Sequence, residues 1–165
     1  MIILRALLFT LLMTPCLGQA EPSLDRHHYL LDVIAQYGAA VERCDSRREE
    51  AVAPPSDALD ILRQHPEKQI RFYLLAREYQ LLDQCTESEL LSLLLAIGSL
   101  NVANDLSAET QQAVQAMEET LFDGTRLEME MHYRQLPNQM KAELNSISYF
   151  QKPYDTFVVM DALGW

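Results

Sequence analysis

Apolar residues recur along this chain at three- and four-residue steps, the spacing that lines one face of an α-helix. Leu30, Leu31, Ile34, Tyr37, Gly38, Val41 and Cys44 make the first such stripe, with Ser23 as its candidate N-terminal cap. Cys44 ends the stripe, so its sulfur is expected to face the core. The polar run over 45–50 reads as a solvated last turn. Pro54 and Pro55 then stop the helix, because proline has no N–H to donate and its ring clashes with the preceding turn. Ser56 is a candidate cap for a short second helix over 57–64, with Leu59 and Leu62 inward. Pro66 suits the first turn of a third, over 67–84, whose apolar side carries Ile70, Tyr73, Leu74, Leu81 and Leu82. Cys85 stands at its end.

Thr86-Glu87-Ser88-Glu89 has the form of a capping box, Thr86 as cap and Glu89 reaching back. The run over 90–97 behind it is apolar on nearly all sides and predicts a central core helix, ended by Gly98 and the polar loop over 101–105. Ser107 opens a long helix through Val114, Met117, Leu121 and Phe122, with Asp123-Gly124 a break or a kink. Residues 127–133 alternate apolar and polar, which is a strand pattern. Their Met, Glu and Leu favour helix, and no partner strand is in view, so the segment is read as helix. Leu136-Pro137 starts another, with Met140, Leu144 and Ile147 on one face, and residues 153–163 make a short last helix on the body. The expected fold is all-α, a single compact domain of five to seven helices, and no internal repeat is visible.

The first twenty residues do not fit this pattern. Arg5 precedes an apolar run over 6–13, followed by Pro15, Cys16, and small residues at Gly18 and Ala20. That order is the form of a cleavable secretory signal. The expected organisation is therefore a leader over 1–20 and a helical domain over 21–165. An uncleaved anchor is disfavoured because the run falls short of the roughly 20 apolar residues that span a bilayer. Lipid attachment at Cys16 is disfavoured because Pro15 stands where a small residue is wanted.

Cleavage alters the cysteine count and the charge. Of three cysteines, Cys44 and Cys85 remain, and an even count in an exported chain predicts a disulfide. Neither lies in a CxxC pair, so the bond reads as a staple rather than a redox centre. The full chain has 13 basic and 24 acidic residues and a net charge of −11. Removing Arg5 leaves 12 basic residues, and the net charge becomes −12. Such a balance disfavours nucleic acid and anionic membrane surfaces. It suits a basic partner, a cation or plain solubility, and an apolar content of 48% is too high for general disorder.

Candidate chemistry is sparse. His27 and His28 are adjacent and project apart on a helix, so they do not readily share a metal. Glu128 and His132 share a helix face, yet two ligands fall short of a zinc site. Glu42, Asp45, Glu118 and Glu119 are carboxylates that spacing alone does not pair for acid–base work. There is no nucleophile elbow, phosphate loop or HExxH, and no cofactor is expected. The C-terminal stretch is more distinctive. Tyr149, Phe150, Tyr154 and Phe157 fall within nine positions and Trp165 is the last residue. They read either as core, with Phe150 and Phe157 closing it, or as an interaction patch of the aromatic kind that anchors interfaces.

Two function classes fit. The first is a non-catalytic periplasmic or secreted protein that binds a protein partner in the envelope as an accessory, chaperone or assembly factor. The second is a carrier for a small apolar ligand or lipid, with Met117, Met129, Met131 and Met140 lining an adaptable pocket. An enzyme of unknown class ranks third. A large internal cavity would favour the carrier; a solid core beneath exposed aromatics would favour the binding protein.

Overall fold

A computed structural model of the chain describes residues 25–49 and 52–165. The expected leader, Cys16 and the Ser23 cap lie outside the described residues. Those described are all-α, a single domain without a strand.

The first helix, α1, is Arg26–Glu49. Its opening N–H groups, those of His27 and His28, donate to the Asp25 carboxylate at 3.1 Å each. Leu30, Val33, Ala40 and Cys44 are its buried face, whereas Leu31 and Gly38 of the expected stripe are exposed. The inward face is thus narrower than the sequence pattern, because one helical stripe cannot hold both Leu30 and Leu31. Pro54-Pro55 stands in the connection to α2, Ser56–Leu62. Ser56 is not its cap. Pro55 holds the N-cap position with no side-chain bond, and Ser56 is the first helical residue.

Helix α3, Glu67–Cys85, follows directly from Pro66 and passes through one residue into α4, Glu87–Asn101. The expected capping box does not form at this junction. Thr86 is fully buried and its hydroxyl donates back to the Leu82 carbonyl at 2.9 Å. Glu89 instead accepts from Arg43 of α1 at 2.9 Å. Tight burial leaves the hydroxyl only the end of α3 to bond, and the free carboxylate turns to a guanidinium. Helix α4 also runs through Gly98. It packs on α1 and α5 and touches α3, burying Leu93, Ala96, Ile97 and Leu100. Its outer face is not core, since Leu91 and Leu95 are 59% and 69% exposed.

Ser107 caps α5, Ala108–Leu121, by accepting the Thr110 N–H at 3.2 Å. Asp123-Gly124 is a break. Asp123 caps α6, Gly124–Gln135, so the alternating segment is helical. Helix α6 lies on α3 without a single buried residue. Then come α7, Asn138–Ser146, a 3-10 turn at Ser148–Gln151, and α8, Thr156–Leu163. Asp155 caps α8 through the N–H groups of Phe157 and Val158. Gly164 ends it in the left-handed conformation, φ 84°, that favours glycine.

Two apolar clusters hold these helices. One joins α1, α4 and α5 around Leu30, Leu93, Ile97 and Val114. The other joins α2, α3, α7, the 3-10 turn and α8 around Ile70, Tyr73, Leu144, Phe150 and Tyr154. Cys44 and Cys85 are disulfide-bonded across a Cα–Cα distance of 6.2 Å, tying α1 of the first cluster to α3 of the second. Closing a loop of 41 residues stabilises a fold by about 4 kcal/mol in the chain-entropy treatment.

Candidate functional site

The end of α1 sets the geometry of the site. Cys44 points inward, so Arg47 and Arg48, three and four residues on, project from the same side of the helix. Both reach α3. Arg48 pairs with Glu78 at 3.0 Å and with Asp45 at 3.4 Å, while Arg47 lies 3.7 Å from the Cys85 sulfur. Burial pulls the Arg48 pKa down, but the hydrogen bond to Glu78 and the charges of Asp45, Glu78 and Asp155 outweigh it. The net direction is upward, and the cation is fixed.

The C-terminal segment closes over this end. Phe150 and Tyr154 are fully buried, and the Tyr154 hydroxyl donates to the Leu74 carbonyl at 2.7 Å. The two rings meet edge-on, 5.2 Å apart. Tyr149 stacks at their edge, half-buried, and its hydroxyl donates to the Val52 carbonyl at 3.1 Å. Burial and then the nearby Asp155 charge raise the Tyr149 pKa.

Two openings adjoin at Pro153. The larger, about 730 Å³, is lined by Arg47, Val52, Pro55, Tyr149, Lys152 and Pro153, among others. The smaller, about 270 Å³, lies between Cys44, Arg48, Leu75, Tyr79 and Phe157. Both are open to solvent. Phe157 is 76% exposed at the rim of the second.

The five aromatics of the C-terminal stretch therefore divide. Phe150 and Tyr154 are core, 0% and 1% exposed among aliphatic side chains and neighbouring rings, and so offer almost no surface to a partner. Phe157 was the other residue expected to close the core. It faces outward, because the N-terminal turn of α8 buries Thr156 instead. Trp165 is half-buried against the core, with the Arg71 guanidinium 5.6 Å over its ring. Tyr154 adds a buried edge to the wall of the smaller opening, and Tyr149 and Phe157 border the openings with accessible surface. The sequence reading missed Arg47, Arg48 and Lys152, treating 45–50 as a solvated turn. The inward assignment of Cys44 contained the missing signal, since residues one turn further on share its side.

The other candidates are scattered. His27 accepts from or donates to the Thr110 hydroxyl at 3.3 Å, and His28 is exposed. His132 stacks on Phe72 with ring centres 3.9 Å apart. Among the described residues no group of three or more His, Cys, Asp or Glu side chains could hold a metal. Asp45 pairs with Arg48, Glu118 accepts from Asn101, Glu119 accepts from Gln115 and Glu42 is exposed. Only Met140 of the four methionines is buried, and Met131 is 53% exposed, so they do not line one cavity. A polar cleft between α3 and α6 gathers Asp83, Arg126, Glu130 and Arg134. Its charges are spent on each other, Arg126 on Asp83 and Arg134 on Glu130.

Comparison with family models, with curated proteins and with solved structures finds no match for this chain.

Proposed function

We propose that the chain is an exported helical protein that acts by binding another protein of the cell envelope, as an accessory, chaperone or assembly factor, and not as an enzyme. The observation that carries this reading is the contrast within the C-terminal aromatics. Phe150 and Tyr154 form a packed base, and Tyr149 and Phe157 stand above it at the rims of two adjoining openings. Aromatic side chains placed on a rigid base lose little entropy on contact, which suits an interface anchor. Export is supported by the leader-like first twenty residues and by the disulfide, a bond that persists in oxidising compartments. The openings are grooves rather than enclosed cavities, which favours a protein partner over a small apolar cargo.

Site-specific photo-crosslinking in the producing cell tests the reading. A photoreactive residue at Phe157 or Tyr149 is expected to give a discrete protein adduct, and one at the exposed Gln112 of α5 is not. Adducts from neither groove position, or the same adducts from Gln112, would sink it.

A further inference from the structure

We infer that the larger groove takes an extended, acidic and apolar segment of the partner, a stretch with Asp or Glu side chains flanked by proline or bulky apolar residues. This rests on the binding reading above and names the chemistry of the bound segment.

Charge is the first argument. The chain carries 24 acidic against 13 basic residues, yet among the described residues the lining of this groove includes Arg47 and Lys152 and no carboxylate, Asp155 acting on Tyr149 from outside it. Arg48 next door is neutralised by Asp45 and Glu78. Arg47 and Lys152 make no ion pair among the described residues. Among the described residues the Arg47 hydrogen bond is to the Cys85 sulfur. Two cations thus face an opening on a molecule whose remaining surface is mostly negative. An acidic segment is repelled elsewhere and attracted here, which confers orientation as well as affinity.

The apolar lining is the second argument. Val52, Ala53, Pro55, Pro153 and the Tyr149 ring supply surface for apolar side chains between the carboxylates. The lining includes non-helical backbone at 52–55 and at 152–153. The Tyr149-to-Val52 hydrogen bond ties these two sides together, so the groove exists before anything enters it. Among the described residues its lining is contributed mostly by non-helical and 3-10 segments and not by a long helical face of the kind a bound helix packs against. A short extended segment fits.

Selection from a random-peptide library displayed on phage, with the purified mature chain immobilised, tests this directly. Enriched peptides are expected to carry Asp or Glu beside Pro, Leu or aromatic residues. The double variant Arg47→Glu with Lys152→Glu alters two side chains at the groove rim, and circular dichroism checks that it folds. It is expected to bind the selected acidic peptides roughly tenfold more weakly and to select basic ones instead. Tyr149→Ala should weaken the same peptides while keeping the acidic preference. Peptides with no charge bias, or an unchanged selection by the double variant, would overturn the inference. So would a chain that buries this groove in a dimer, as read by light scattering. Crosslinks at Tyr149 and Phe157 without an acidic preference would leave the binding reading standing and remove this one.

Discussion

Phe150 and Phe157 lie seven positions apart and have opposite environments. Phe150 is fully buried against Tyr73 and Tyr154, with Tyr73 5.9 Å away edge-on. Phe150→Ala opens a cavity among these rings and should lower stability by about 3–5 kcal/mol, read as a shift in the urea midpoint. Phe157→Ala removes a ring that is 76% exposed and should leave stability within about 0.5 kcal/mol. Equal effects for the two variants would contradict the division of this aromatic stretch into base and rim. The sequence shows that aromatics concentrate here, but not which of them turns inward. That depends on Asp155, whose cap fixes the start of α8 and hence the direction of each residue after it. Cysteine was easier to read. With the expected leader set aside two thiols remained, Cys44 on an inward stripe and Cys85 at a helix end, and that left one pairing.

Helix positions were legible from periodicity wherever one face is apolar, as in α3, α5 and α7. Caps were less so, because a cap depends on what its side chain meets. Ser107 is free to accept the Thr110 N–H, while Ser56 lies inside its helix and Thr86 is turned back into α3. Ser107→Ala should therefore cost about 1 kcal/mol. Ser56→Ala should be near neutral, and thermal melts of the two variants distinguish them. Helix α4 failed in a different way. Composition marked it as apolar all round, but among the described residues no neighbour covers Leu91 and Leu95. How many helices surround an element is a property of tertiary arrangement that a local window does not contain. The grooves were illegible for the same reason, since they lie between the end of α1, the connection at 52–55 and the C-terminal segment.

The whole molecule has a built-in alkaline limit. Burial raises the pKa of Tyr73 and Tyr154 well above the ordinary 10.0, so both phenols stay neutral in the fold. In the unfolded chain they ionise near 10. Above that pH the unfolded chain releases protons that the folded chain retains, and stability falls as pH rises. The unfolding free energy from urea titrations should be level up to about pH 9, then decline, approaching about 1.4 kcal/mol per pH unit for each such tyrosine above pH 10. Tyr73→Phe should make the decline shallower. A midpoint that stays level or climbs through this range would show that the two rings are not buried as described.

The connectivity of the two clusters bears on how the chain comes to be folded. Helix α1 finds its main partner in α4, and both lie in one cluster, whereas α2 and α3, which come between them, belong to the other. A chain synthesised from its amino terminus presents Leu30, Val33 and Tyr37 before the residues that cover them exist. The two cysteines, however, are both available once residue 85 has emerged. Where an oxidant reaches them, the covalent link can then hold α1 beside α3 before α4 has docked, keeping the gap narrow into which α4 must settle. Oxidation would act during assembly as a placeholder for a core not yet complete, and a chain denied it would expose its first helix to aggregation for longer.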